Sequence, residues 1–253
     1  MDLALMDKVV LVTGGSRGLG EAISLALAAE GAKVALNYRK GAEKAEAMAA
    51  KIAADHGVDA CAIQADVSRE SDVLDMFCGA EEKLGPIDVL INNAGVWPTA
   101  YVKNMTETDW SQTLAVNLTG PFLTSREATR RWLASGRTGT IVNVSSQAAF
   151  RGSTTGHAHY AASKAGLVSF TVSLAREVAR QGVRVNAVAA GMMRTDMADE
   201  ALRKNEHKYI QRIPLGRIAD PAEIAGVVVF LASSRSSYIT GATVDASGGM
   251  LMR

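Results

Sequence analysis

Cysteine is scarce in this chain: Cys61 and Cys78 are the two present, and they form neither a CxxC pair nor any metal-ligand spacing. A disulfide scaffold and a zinc module are thereby excluded, no metal is expected, and both thiols are expected to be reduced and mostly buried. An excess of either charge is also lacking. The net charge is +1 and the basic residues are scattered, so no nucleic-acid surface is expected. Long apolar runs are missing as well. The longest, "IAGVVVFLA" at 224–232, is too short to span a bilayer, and the "DPAE" before it reads as a helix start. The N-terminal "MDLALMDKVV" has no basic segment followed by a long apolar run, so no secretory signal, no membrane association and a cytoplasmic location are expected. No linker rich in Pro, Gly or Ser divides the sequence and no repeat recurs in it, which predicts one domain over residues 1–253.

What the chain does have is apolar mass, 48% of its residues, laid out in alternation. Short β-branched runs at 8–14, 32–38, 60–66, 87–93, 139–146, 183–189 and 242–249 read as buried strands. Ala-rich amphipathic stretches at 18–30, 41–56, 69–83, 107–135 and 158–181 read as helices between them. Strands apolar on both faces with intervening helices imply an α/β fold. Right-handed crossovers make it a doubly wound parallel sheet of Rossmann type, with helices on both faces. The stretch 190–220 breaks the alternation, and its polarity suits an exposed helical flap.

After the first strand stands "TGGSRGLG". Glycines lacking Cβ let a backbone approach a pyrophosphate closely, and the helix that follows aims its free N–H groups at it. With strand before and helix after, the turn reads as a dinucleotide site, and Gly14, Ser16, Arg17, Gly18, Leu19 and Gly20 are the expected contacts. At the end of the second strand, where an NAD site usually carries a carboxylate, the chain has Asn37, Tyr38, Arg39 and Lys40. Without a carboxylate and with Arg17 close by, a 2′-phosphate fits, so NADP(H) is preferred and NAD(H) remains possible; Arg39 and Lys40 also read as solvated loop charges.

In "YAASK", Tyr160 precedes Lys164 by four residues, which puts the two on one helix face. A free phenol has a pKa of about 10, too high for a base near neutral pH. The lysine charge beneath the ring, together with that of an oxidised nicotinamide, would lower it towards the working range.

"TGGSRGLG", "NNAG" at 92–95, Asn117 in "LAVNLTG", "IVNVSS" and "YAASK", in this order, resemble the single-domain branch of the short-chain dehydrogenase/reductase family over about residues 7–250. "YITGATVDASGGM" and "TDM" at 195–197 are most similar to the family's 3-oxoacyl-(acyl carrier protein) reductases, and they also occur in its sugar and polyol dehydrogenases. The resemblance implies hydride transfer between a nicotinamide cofactor and a carbonyl or secondary alcohol. It implies Tyr160 as acid/base, Lys164 as its tuner and as a ribose ligand, Ser146 holding the substrate oxygen, and Asn117 supporting a water-linked proton relay behind Lys164. It further implies Asp66 and Val67 at the adenine, Asn93, Ala94 and Gly95 beside the adenosine ribose, Thr195 at the carboxamide, and a homotetramer packed through helices 107–135 and 158–181.

Two departures stand out. The interval from Ser146 to Tyr160 is one residue longer than is common in the family, with Ser145 as the minor alternative to Ser146. The family's usual Pro-Gly after the sixth strand is Ala190-Gly191, which frees one backbone angle. Asp66 is alternatively a cap of the following helix, for which Ser68 also offers itself. Trp97, Gln147, His157 and Met192 are expected on the substrate side. His157 and His159 suit either the hydroxyls or phosphates of a polar substrate or, preferentially, a solvent-exposed loop. Gln, Trp and His together suit a hydroxylated substrate. Trp97 with Met192 and Met193 suits an acyl chain, and an acyl thioester or a small carbonyl compound is the expected partner.

Overall fold

The computed structural model describes residues 2–153 and 155–252. Seven parallel strands form one sheet in the order β3-β2-β1-β4-β5-β6-β7. They are β1 Val9–Val12, β2 Lys33–Tyr38, β3 Ala60–Gln64, β4 Val89–Asn92, β5 Gly139–Ser146, β6 Val183–Ala190 and β7 Thr243–Ala246. The helices are α1 Gly18–Ala29, α2 Ala42–His56, α3 Glu70–Leu84, α4 Glu107–Leu114, α5 Gly120–Ala134, α6 Ala148–Arg151, α7 Ala158–Val178, α8 Asp199–Ile210 and α9 Pro221–Ala232. This is the doubly wound α/β architecture that the alternation implies.

Strand alternation sorts the core into two layers. Val10 and Val12 of β1 join α1 and α9 on one face, where Ile23, Leu27, Val228 and Leu231 are buried. Val9 and Leu11 join α3, α5 and α7 on the other, around Phe77, Trp132, Leu174 and Val178. The five inner strands are buried except at Lys33, Gly139 and Arg184, whereas β3 and β7, at the two edges, are mostly half-buried. An edge strand has a neighbour on one side only, so the expectation of seven fully buried strands is corrected for these two.

The chain order reverses between β1 and β4, and the carboxyl ends of the strands open there into a crevice. A fully bonded polar column fixes the helices beneath it. Asn92 donates to Ser125 at 3.0 Å and to Asn143 at 2.9 Å, Thr124 donates to Asn92 at 2.6 Å, and Asn143 donates to Thr171 at 2.9 Å. All of these groups are buried, and removing one partner would strand another without water.

Three sequence expectations need correction. The stretch read as one helix over 107–135 contains a π-helical turn at Ala115–Thr119, between α4 and α5. Cys78 is exposed on α3 and Cys61 is only half-buried, because the first faces away from the sheet and the second lies on its edge strand. Neither Asp66 nor Ser68 caps α3. Arg69 occupies that position without a side-chain bond, and Asp66 instead accepts from the Ser68 amide at 3.0 Å and hydroxyl at 2.6 Å. The start predicted for α9 is present, with Asp220 and Glu223 closing a reciprocal capping box around Pro221. The segment 190–220 is helical and largely exposed over α8, with a small apolar cluster of Ala198, Leu202, Ile213 and Ile218 on its inner side. No helix among the described residues is long and apolar enough to cross a membrane.

Candidate active site

A cleft of about 910 Å³ runs across the carboxyl ends of the strands, from Arg39 and Asp66 to Arg151 and Arg212. One end is built by the glycine turn. A Cβ on Gly20 would stand 2.0 Å from the Gly14 carbonyl oxygen, a contact no side chain tolerates. Gly14 and Gly18 hold positive φ angles of 62° and 55°, which glycine alone adopts without strain. No described side chain caps α1 at Arg17, so the leading N–H groups of that helix are left for an anion. A backbone cradle that a Cβ would fill, facing an uncapped helix, fits the pyrophosphate of a dinucleotide.

The loop after β4 is lashed to that turn. Thr13 accepts from the amides of Asn93 and Ala94, both at 3.0 Å, and Asn93 donates to the carbonyls of Thr13 at 3.0 Å and Gly14 at 3.1 Å. Sequence reasoning passed over Thr13, although it stands at the head of the glycine motif. Asn37 lines the cleft, but its amide is spent inside the protein: its oxygen accepts from the Gly14 amide at 3.2 Å, and its nitrogen donates to the Ala65 carbonyl at 3.1 Å. It braces the turn from β2. Arg17 and Arg39 are exposed at the cleft edge, and Arg39 lies 3.7 Å from Asp66. Burial raises the Asp66 carboxyl, but the Ser68 hydrogen bonds and the charges of Arg39 and Arg69 outweigh it and hold the pKa below the usual carboxylate value. Val67 backs the cleft at 6% exposure, against Gly120. Ser16, Leu19, Gly95 and Thr195 also line it, and Thr195 sits over Gly18.

At the centre, Ser146 ends β5 beside Tyr160 of α7, both lining the cleft, and its hydroxyl accepts from the Ala148 amide at 3.2 Å. Strand alternation turns Ser145 the other way, where its hydroxyl donates to the Lys164 carbonyl at 3.0 Å. Lys164, at 4% exposure, lies beneath the tyrosine, with its Nζ 5.8 Å from the ring centroid. That ammonium donates to the Val144 carbonyl at 2.8 Å, and burial lowers its pKa to about 8. Burial raises the Tyr160 pKa above its ordinary value, opposed by the neighbouring Ser146 hydroxyl. The lowering of the phenol is expected from the lysine together with an oxidised nicotinamide, and in the protein by itself the ammonium is directed at the Val144 carbonyl.

Asn117 is fully buried in the π-helical turn. Its oxygen accepts from the Val96 amide at 2.8 Å, and its nitrogen donates to the Val96 carbonyl at 2.9 Å and to Ser163 at 3.2 Å. A Cβ on Gly95 would lie 3.3 Å from the Asn117 oxygen and 3.7 Å from Lys164 Nζ, so glycine is what lets these groups converge.

On the other side of Tyr160, Trp97 presents its edge to the phenol ring, with centroids 6.4 Å apart. His157 stacks on Trp97 at 4.4 Å, and its Nδ1 bonds the Pro98 carbonyl at 2.8 Å. His157 is 5% exposed and His159 fully buried, so the solvent-exposed loop expected for them is wrong. Pairing of His157 with Ala100 draws the inserted stretch onto the loop after β4 and covers both rings. His157 does not line the cleft, whereas Trp97, Gln147 and Met192 do. Arg151, Tyr209, Arg212 and Met250 also line the cleft and were not foreseen, because segments far apart in the chain bring them together.

Residues 14–251 match the family described as enoyl-(acyl carrier protein) reductase. The 3-oxoacyl-[acyl-carrier-protein] reductase FabG of Aquifex aeolicus is 41% identical over 250 residues, covering 99% of this chain and 100% of that protein. The FabG of Staphylococcus aureus strain Mu50 is 42% identical over 247 residues, covering 98% and 99%. A crystal structure of a short-chain type dehydrogenase/reductase from Mycobacterium marinum superposes with a TM-score of 0.95 at 32% identity, covering 100% and 98%. The chain belongs to the short-chain dehydrogenase/reductase family. As a family member it is an oxidoreductase acting between CH–OH and C=O with a nicotinamide cofactor, and the glycine cradle is where that cofactor fits. Another solved structure, from Agrobacterium tumefaciens and provisionally assigned as a gluconate dehydrogenase, has a TM-score of 0.94 at 32% identity, covering 100% and 99%.

Proposed function

We propose that this chain is an NADP(H)-dependent reductase of 3-oxoacyl thioesters, with Asn117, Ser146, Tyr160 and Lys164 as its working groups. The observation that carries the reading is the convergence of Ser146, Tyr160 and Lys164 on the cleft that begins at the glycine cradle, with the Lys164 ammonium buried beneath the phenol ring. Bound in the cradle, the cofactor supplies or accepts hydride. The chain's own groups manage the proton and the carbonyl. Ser146 holds the substrate oxygen against Tyr160, and Tyr160 gives that oxygen a proton in reduction or takes one in oxidation. Lys164, whose pKa of about 8 leaves it close to titration, would hold the ribose of the cofactor and support charge on the phenol. Asn117 fixes the Val96 backbone and Ser163, and thereby the path behind Lys164.

The cofactor preference rests on Arg17, Arg39 and Lys40, with no carboxylate at the end of β2. The substrate class rests on the FabG relatives. A second reading, oxidation of a sugar acid or polyol, is favoured by the Agrobacterium structure and by the polar Gln147, Arg151 and Arg212 in the cleft. We further propose one catalytic domain over residues 1–253, a flap at 190–220 that closes on substrate, and a cytoplasmic location. We also propose a homotetramer built through α4, α5 and α7; α4 carries the exposed Trp110, and α5 the exposed Phe122 and Leu133. The test is NADPH consumption with an acetoacetyl thioester, run beside NAD(P)⁺ reduction with sugars, sugar acids and polyols. Turnover of the thioester with NADPH supports the first reading; turnover of a sugar acid alone replaces it with the second.

A further inference from the structure

The cleft is positively charged at both ends. Arg17, Arg39 and Lys40 account for the cofactor end. At the far end Arg151, on α6 just beyond Ser146, faces the same space as Arg212, which follows α8. Four arginines lie in the segment 190–220, and three have carboxylate partners: Arg194 with Glu206, Arg203 with Asp199, and Arg217 with Glu223. Arg212, the one that lines the cleft, has no ion-pair partner among the described residues, and neither has Arg151. The Arg151 guanidinium is steadied by a hydrogen bond from Nη1 to the Met250 carbonyl. That bond orients the side chain without neutralising it. Beside the pair stand Gln147 and Tyr209, a neutral donor set. The two carboxylates among the described lining residues are Asp66, at the adenine end, and Asp196, which is exposed.

We propose that Arg151 and Arg212 form an oxyanion subsite that receives a carboxylate or phosphate carried by the substrate away from its ketone. Guanidinium forks match both groups with paired donors. The proposal rests on the reading of Tyr160 as the carbonyl site. The oxyanion has two sources of the same chemistry: the phosphate of a pantetheine arm, or the carboxylate of a sugar acid.

The test uses matched pairs: acetoacetyl pantetheine against its 4′-phosphate, and a neutral keto sugar against the corresponding keto sugar acid. The native enzyme is expected to favour the anionic member of one pair by roughly tenfold to a hundredfold in kcat/KM, mostly through KM. Arg151→Gln and Arg212→Gln are each expected to bring the anionic member down to the level of the neutral one, and Arg212→Lys to restore part of the gap. Arg217→Gln, on the outer surface, is the control that keeps it. Whichever pair shows the preference names the source. Equal treatment of both members in both pairs, or variants that lose neutral and anionic members alike, would overturn the subsite. Calorimetric titration with 4′-phosphopantetheine and with gluconate separates the two claims. Binding that is lost in Arg212→Gln while no ketone is turned over keeps the subsite and rejects the ketone reading; absence of binding together with absence of preference rejects the subsite alone.

Discussion

The two halves of the cleft are built differently. The cofactor half is made mostly of backbone: Gly14, Gly18 and Gly20 after β1, Thr13 tying in the loop after β4, and Asn37 bracing the glycine turn from β2. Its shape is fixed where the chain order reverses, and few side chains can change it. The substrate half is made of side chains borrowed from distant segments: Trp97 after β4, Arg151 on α6, Arg212 after α8 and Met250 near the chain end. Rigid backbone recognises what the whole family shares, and loop side chains choose what each member reduces or oxidises. Tyr160 stands at the seam and belongs to neither half.

The seam gives the largest expected effect. Tyr160→Phe is predicted to lower kcat by about 10²–10⁴-fold, the usual share of a proton-transferring group. Cofactor binding, followed by NADPH fluorescence, should persist. Retained turnover would show that the proton comes from elsewhere and would dissolve the division drawn above. Gly20→Ala strikes the backbone half. Its methyl group has no room beside the Gly14 carbonyl, so the turn must open, at a cost of about 1–3 kcal/mol in stability and with loss of cofactor affinity. Denaturant unfolding and dinucleotide titration measure both. A variant of native stability and affinity would show that the cradle is softer than its contacts indicate.

The same division decides what was legible in the sequence. The cradle could be read because its signature is local: the eight residues after β1, Thr13 to Gly20, announce it without reference to distant segments. The choice of Ser146 over Ser145 was also local, since strand alternation sends neighbours to opposite faces and Ser145 ends on the Lys164 carbonyl. The π-helical turn at Ala115–Thr119 left no trace in apolar periodicity, because one extra residue in a helical turn barely shifts the pattern. The burial of His157 depends on its pairing with Ala100, and no window around 157 contains residue 100. The lysine's effect on Tyr160 was legible as chemistry but not as geometry, because the Val144 carbonyl competes for the ammonium. Arg151 and Arg212 looked like any other surface cations until α6 and the segment after α8 met across the cleft.

A smaller effect sharpens the cofactor half at its one side-chain element. If Arg17 and Arg39 hold a 2′-phosphate, as the proposed NADP(H) preference requires, Arg17→Gln together with Arg39→Gln is predicted to raise KM for NADPH by roughly tenfold to a hundredfold, with little change for NADH. An equal rise for both cofactors would make these arginines general electrostatic contacts.

At the seam, Lys164 ties stability to pH. Its folded pKa of about 8 lies below the ordinary lysine value, so the unfolded chain holds the proton more tightly between them. Stability from this group therefore rises as pH climbs from about 8 towards 10, and below 8 the buried charge imposes its full cost. Lys164→Met should flatten that slope in denaturant titrations across the interval. An unchanged slope would assign the dependence to other groups.

The smallest predicted effect concerns the stack behind the substrate wall. His157 holds Trp97 by ring contact and is itself held by the Pro98 carbonyl. Burial lowers its pKa, with the Pro98 bond opposing and the His159 charge adding to the shift, so the ring is neutral at physiological pH and stacks without a charge to desolvate. His157→Leu keeps apolar volume but removes both the flat partner and the Pro98 bond. The lost stacking is worth about 0.5–1.5 kcal/mol, which predicts a fall in kcat/KM of up to roughly tenfold on reaching Trp97. His157→Phe, which keeps the stack without the Pro98 bond, should recover part of the loss. The effect should appear in substrate KM and leave dinucleotide affinity alone, because the indole edge faces Tyr160 from the substrate side. A loss shared equally by both ligands would mean that the stack supports the whole loop after β4, and that the boundary between the two halves lies further from the glycine turn than Trp97.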